Sequence, residues 1–465
     1  MSRPVPTIAE QARLIDSGEA SPVELTEMAL KRIEAVDATV NAFITILPER
    51  ALEAARQAEA AIAKGQKRGP LHGVPYALKD IIDVAGVKTT AHSALLADNV
   101  ATSDAAITER LEAAGMILLG KLSLHEFARG APTDVLPWPN ARNPWNVNHA
   151  CGGSSSGSGV AVAAGMVALA IGTDTGGSVR FPAACTGTVG LKPTYGRISR
   201  RGILPLSFSL DHAGSVTRNV EDCALALTTL AGHDPADPGS ANVPAGDYLA
   251  GIERPIAGLK IGVARAYQDE SGVSDEQKAT IESAVEVLRE LGATVESVTL
   301  PSRALFDAAA WTIILAEGFA IHQHDLRTRP QDYGRTVRER VSIGAFVTGG
   351  DYVQAQRIRG RLIAEFDCAI TGFDAILCAT AAGAPPPLDK VDDGPWRKLH
   401  PITAPFNLTG HPALALPCGI STKGLPLSMQ LIGRAFNEAD LLCIGHAYEQ
   451  ATGWWKRLPD LGVEA

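Results

Sequence analysis

The chain has 465 residues, a formal net charge of −9, 46% hydrophobic and 20% charged residues. This composition excludes a disordered chain and gives no basic footprint for nucleic acid or an anionic membrane surface. The start M-S-R-P-V-P-T-I-A-E lacks the basic flank and apolar core of a secretory leader, and the longest apolar stretch, Val160 to Ile171, is too short to span a bilayer. A cytoplasmic protein without membrane contact is expected.

The N-terminal part, about residues 1–68, reads as helical scaffold. Thr7-x-x-Glu10 and Ser21-Pro22-x-Glu24 are capping-box signatures, the second with proline at the first helical position. Leu25, Met28, Ala29, Ile33 and Val36 then recur at helical spacing, and a further helix from Ala51 to Lys64 closes at Gly65. From about Gly69 the texture changes to short apolar runs split by Gly and Pro and alternating with helical patterns. Strands are expected at 73–80, 116–121, 260–263, 294–300, 375–378, 413–417 and 429–432, with a helix near 105–114 and another in the apolar run after Gly159. This alternation predicts an α/β fold in which one large sheet gathers strands from both halves of the chain, in a single domain over residues 1–465. The Pro/Asp/Gly-rich stretch from Asp234 to Asp247 reads as a long loop. Arg327 to Arg340 is interleaved with Asp332 and Glu339 and reads as a solvated or interface helix.

Seven scattered cysteines contain no C-x-x-C pair, so they read as buried free thiols, Cys151 included. The chemistry concentrates instead in C-G-G-S-S-S-G-S-G (151–159). A flexible linker does not run straight into an Ala/Val-rich helix. A phosphate cradle would require G-x-x-x-x-G-K-[ST], which is absent. A nucleophile site remains, in two forms. Gly153-Ser154-Ser155-Ser156-Gly157 matches G-x-S-x-G, with Ser155 as nucleophile. Alternatively, T-D-T-G-G-S-V-R-F-P-A (173–183) places two glycines before Ser178, where backbone N–H groups can converge on an oxyanion. A serine needs a base, and neither motif holds a histidine. Lys79 in G-V-P-Y-A-L-K-D (73–80) is preceded by apolar residues that would desolvate its ammonium and favour the free amine.

These motifs, with G-L-K-P-T-Y-G-R (190–197), S-L-D-H-A-G-S-V-T-R-N-V-E-D (209–222), A-P-F-N-L-T-G-H-P-A-L-A-L-P (404–417) and L-P-L-S-M-Q-L-I-G-R (425–434), resemble the amidase signature family over nearly the whole chain. The resemblance implies that family's fold, one large mixed sheet flanked by helices on both faces, with a signature core over about 69–200. It also implies a Ser–Ser–Lys triad: Ser178 as nucleophile, Ser154 as bridging serine on a cis peptide bond and Lys79 as base, the two serines standing 24 positions apart as in the family. Thr175, Gly176, Gly177 and Ser178 would supply oxyanion-hole N–H groups, and Asp174 and Arg180 would brace the turn. No metal or organic cofactor is implied.

The expected activity is hydrolysis of a carboxamide or amide-like C–N bond through a Ser178 acyl-enzyme. The expected substrate is a small-molecule amide, with no direct nucleic acid, no membrane and a homodimer as the only assembly considered. An alternative is the glutaminase component, the A subunit, of a tRNA-dependent amidotransferase. Phe181 stands where that component typically has Gln, which argues for a stand-alone amidase. A catalytically silent scaffold on the same fold is disfavoured because all three triad positions are present. Trp138 and Trp145 are candidates for lining a pocket. His400 and His411 read as structural, and the Trp454–Trp455 pair as packing for the last helix.

Overall fold

A computed structural model describes residues 3–129, 136–391 and 402–462. The two N-terminal helices, Ile8–Ser17 and Pro22–Val40, both begin in the expected capping boxes, and Leu25, Ala29, Ile33 and Val36 form the buried stripe of the second. The third runs Pro48–Ala63, followed by Gly65 at φ +73°.

Eleven strands form one mixed sheet: β1 Phe43–Ile46, β2 Pro75–Lys79, β3 Ile117–Leu122, β4 Leu169–Asp174, β5 Val189–Lys192, β6 His212–Thr217, β7 Lys260–Val263, β8 Thr294–Ser297, β9 Ala375–Ala379, β10 Ala413–Ile420 and β11 Pro426–Ile432. Their order across the sheet is β1-β3-β2-β4-β6-β5-β10-β11-β9-β7-β8, so the last third of the chain is laid against the first. Every expected strand is a sheet member, and helices flank the sheet. Strands β2, β3 and β4 pair in parallel and are buried along their whole length. That burial on both faces is why they read as continuous apolar runs instead of alternating ones.

One expectation is corrected here. The apolar run after Gly159 is not a single helix: the helix Ser156–Ala163 stops, Gly165 turns at φ +67°, and β4 follows. An element buried on all sides carries no periodicity to separate helix from strand. Strands β1, β5 and β6, each of four to six residues, fall outside the expected set.

The 26-residue helix Arg303–Thr328 is long and apolar enough to cross a membrane by length and composition. Here it packs along the helix Gly349–Ala369 and buries Phe306, Ile313 and Ile314. Its buried Glu317 accepts hydrogen bonds from the hydroxyls of Ser207, Ser209 and Tyr352. From Asp234 to Asp247 the chain is irregular, as expected.

Candidate active site

Because β2 and β4 are parallel neighbours, their C-terminal ends reach the same edge of the sheet. Lys79 is the last residue of β2, and Thr173 and Asp174 close β4. The Lys79 Nζ donates to Ser154 Oγ at 2.8 Å and to Thr173 Oγ1 at 2.8 Å, and no part of Lys79 is exposed. Burial lowers its pKa to about 7, against a smaller opposing pull from Asp174 and Asp211. The adjacent Asp80 does not reach the amine. It pairs with Lys121 at 3.0 Å and accepts from the backbone and hydroxyl of Thr90.

Ser154 arrives from the glycine-serine loop, and the Gly153–Ser154 peptide is cis. Its carbonyl accepts from His125 N–H at 2.9 Å, while Ser155 N–H donates to the Ser178 carbonyl at 3.1 Å, so the loop is tied directly to the turn that carries Ser178. Gly157 makes this approach possible: a Cβ there would lie 2.4 Å from the Ala42 carbonyl oxygen and 2.6 Å from Ser123 N. The remaining hydroxyls serve the backbone. Ser155 Oγ donates to Thr173 O and accepts from Thr173 N–H, and Ser158 Oγ donates to Ile171 O. Ser155 is fully buried and occupied on both sides, which leaves the G-x-S-x-G alternative without an exposed nucleophile. Cys151 is also buried, its thiol pushed up to about 12 by desolvation.

The turn after β4 is organised by Asp174. Its carboxylate accepts from the N–H groups of Gly177 (2.7 Å), Val179 (3.2 Å) and Arg180 (3.3 Å), and from Arg180 Nε and Nη2 at 3.0 Å each. Burial alone would raise its pKa, but the Arg180 guanidinium, with Lys192 and Asn407, holds it well below the usual carboxylate range. Asn407 Nδ2 donates to both the Asp174 carbonyl and carboxylate, and Arg180 Nη1 donates to Gln430 Oε1. The network thus links the Ser178 turn to the C-terminal strands. Gly177 sits at φ +125°, where only glycine is comfortable. Since its N–H is committed to Asp174, the N–H groups of Thr175, Gly176 and Ser178 are the ones for which no acceptor occurs among the described residues.

Breaking this network should be costly. Arg180→Met would leave Asp174 buried without its principal countercharge, and a loss of ~3–5 kcal/mol is expected. Equilibrium urea unfolding checks it; an unchanged midpoint would reduce the ion pair to a bystander.

Ser178 is half-buried at the floor of a cavity of about 310 Å³, which Ser154, Thr175, Gly176 and Gly177 also line. The walls combine Phe181, Leu206, Trp311, Ile314, Leu315 and Ile343 with His125, Arg129, Arg303, Asp307 and Arg340. Sequence reasoning missed Thr173, His125, Asn407, Gln430 and the cavity arginines. Only Thr173, inside the T-D-T-G-G-S run, carried a signal. Arg340 belongs to the stretch expected to be solvated or at an interface, yet it lines the cavity.

Neither tryptophan candidate appears among the lining residues. Trp145 Nε1 donates to Thr186 O, and Trp138 packs edge-on against His92. His411 is buried and its Nε2 meets Asp367 Oδ1 at 2.9 Å, a structural contact. His400 lies outside the described residues. Trp454, after the last helix, packs partly buried against the core.

The model of the family described as Amidase matches residues 24–442. Among curated relatives, the A subunit of glutamyl-tRNA(Gln) amidotransferase from Moorella thermoacetica is 41% identical, covering 98% of this chain and 99% of the relative. The protein of the same name from Chloroflexus aggregans is 40% identical over 98% of both chains. Among solved structures, a chain from a complex described as vestigial and as revealing the origins of an s-triazine catabolic enzyme superposes with TM-score 0.90 at 35% identity, covering 96% of this chain and 99% of that one. The peptide amidase of Stenotrophomonas maltophilia gives TM-score 0.86 at 33% identity, covering 98% and 99%.

These relatives overturn one expectation. A small-molecule substrate with no nucleic acid and no assembly beyond a homodimer conflicts with full-length relatives named as one subunit of a tRNA-dependent enzyme. Phe181 is a poor discriminator: a single substituted pocket residue, packed here with Cys185 and Ala381, says little beside identity spread over the whole chain.

Proposed function

Since the chain belongs to the amidase family, we propose that it is an acyl-transfer catalyst that releases ammonia from a glutamine-like primary carboxamide, as the A subunit of an amidotransferase assembly. The observation that carries the chemistry is the buried Lys79 amine 2.8 Å from Ser154 Oγ, beside the turn that presents Ser178.

With its pKa near 7, Lys79 is largely unprotonated above neutral pH and can accept a proton from Ser154. Ser154 takes the proton of Ser178 as Ser178 Oγ forms a bond to the amide carbon. The carbonyl π electrons move onto oxygen, and the N–H groups of Thr175, Gly176 and Ser178 are suited to receive that charge. As the C–N bond breaks, the relay returns the proton to the departing nitrogen, giving ammonia and an acyl-Ser178. Water then adds to the ester by the same route, regenerating the serine and a carboxylic acid. Without an acceptor for the ammonia the net reaction is amide hydrolysis. A single domain built on the one 11-stranded sheet, in a cytoplasmic setting, accords with this reading.

The similarity to A subunits over 98% of the chain supports the partnered form. The chain, assembled with the other amidotransferase subunits, should release ammonia from glutamine and convert misacylated Glu-tRNA(Gln) to Gln-tRNA(Gln). Full activity of the isolated chain on simple amides, with no assembly formed, would sink the amidotransferase reading while keeping the acyl-enzyme chemistry.

A further inference from the structure

The cavity above Ser178 is positively biased in a chain that is acidic overall. Arg129, Arg303 and Arg340 line it against Asp307 alone, and Arg303 Nε already pairs with Asp307 at 3.2 Å. Arg129 is different. It is only 8% exposed, it meets no carboxylate among the described residues, and its guanidinium carbon lies 5.0 Å from the centre of the Trp311 ring. Its pKa is lowered to about 9, first by burial and then by the charge of Arg340.

The local backbone delivers this side chain to the cavity. Phe127 and Ala128 both adopt left-handed backbone, at φ +49° and +57°, immediately before Arg129. The turn is pinned by Glu126, whose carboxylate accepts from Ser93 Oγ at 2.5 Å and from Gly334 N–H at 2.9 Å. Two consecutive non-glycine residues in that conformation are held by their surroundings. A desolvated guanidinium beside a second one, without an acid, is unfavourable until an anion arrives. A planar carboxylate matches its fork of donors, and the Trp311 ring confines the guanidinium on one side.

We propose that Arg129, with Arg340 beside it, binds a carboxylate carried by the substrate away from the scissile amide, so that the site selects anionic amides over neutral ones. This rests on the reading of Ser178 as the residue acylated in the same cavity. It makes Arg129 a specificity-determining residue and leaves the triad chemistry unchanged.

The test is isothermal titration calorimetry on the full chain carrying Ser178→Ala, which stops turnover, using glutaramate and glutardiamide. These two ligands have equal length and differ by one carboxylate for one carboxamide. Glutaramate should bind at least ~10-fold more tightly, as for a charge-assisted contact in a dry site. Adding Arg129→Gln should bring the two Kd values within about 2-fold, and Arg129→Lys should retain an intermediate preference because an ammonium lacks the bidentate fork. Melting curves establish that each variant is folded, and the lysine variant carries the assignment if the glutamine variant is not. Equal affinity for the two ligands in the Arg129 background overturns the proposal, as does a preference untouched by either substitution. The catalytic reading fails separately: glutaramate would then leave no acyl adduct on a chain with Ser178 intact, whatever the binding data say.

Discussion

Ser178→Ala should lower kcat by at least about ten-thousand-fold, the scale on which removal of a serine nucleophile from a preorganised relay acts. The residue is half-buried, and no side-chain hydrogen bond to it occurs among the described residues, so the melting temperature should stay within a few degrees of wild type. With a slow substrate, intact-protein mass spectrometry should show an acyl adduct on the wild-type chain, mapping to Ser178 and absent from the variant. An adduct on Ser155 would revive the nucleophile elbow. That outcome would require Ser155 to abandon both hydrogen bonds to Thr173 and its complete burial. Full turnover by the alanine variant would refute the acyl-enzyme.

Lys79 makes the second large prediction, because a relay without histidine places the whole pH dependence on one amine. Its pKa is lowered to about 7 by burial, so below that pH the amine is protonated and cannot accept from Ser154. The kcat/KM profile should therefore rise with pH through an apparent pKa near 7 and level off above it. Lys79→Met should abolish that limb and remove at least about a thousand-fold of the rate, since the bridging serine is left without a base. His411→Ala should keep the limb, its ring being held at Asp367.

A stability signature accompanies the kinetic one. The folded pKa lies below the unfolded value of 10.5, so between about pH 7 and 10.5 the unfolded chain binds more protons at this position, and stability rises with pH across that window. Below pH 7 the folded state carries the full cost of a buried ammonium. Lys79→Met removes this dependence, and the melting temperature of the variant should vary less steeply with pH than that of wild type over pH 7–10.5. A wild-type kinetic profile that is flat through neutrality, or one that survives Lys79→Met, would move the base elsewhere.

The sequence by itself determined the parts whose physics is local. The capping boxes at Thr7 and Ser21 are complete within four residues, and both formed. Runs such as 73–80 and 413–417 could be read as strands because short apolar stretches between Gly and Pro have few other uses. The serine-glycine loop and the T-D-T-G-G-S turn announced a reactive site because so little side chain, placed beside so much hydroxyl, serves close backbone approach. The apolar residues before Lys79 announced its desolvation, although the depth of burial follows from β2 lying between β3 and β4.

Tertiary structure alone decided what depends on distant segments meeting. The division of the run after Gly159 into helix and strand was settled by pairing with β2 and β6, because an apolar element surrounded by core has no face to betray its period. Asn407 and Gln430 reach Arg180 from more than 200 positions away. Arg129 and Arg340, separated by a similar span, line one cavity with Trp311. In sequence, a buried arginine and a solvated one look alike. The difference between them is created only when the long helix from Arg303 closes over the Ser178 turn and removes the water.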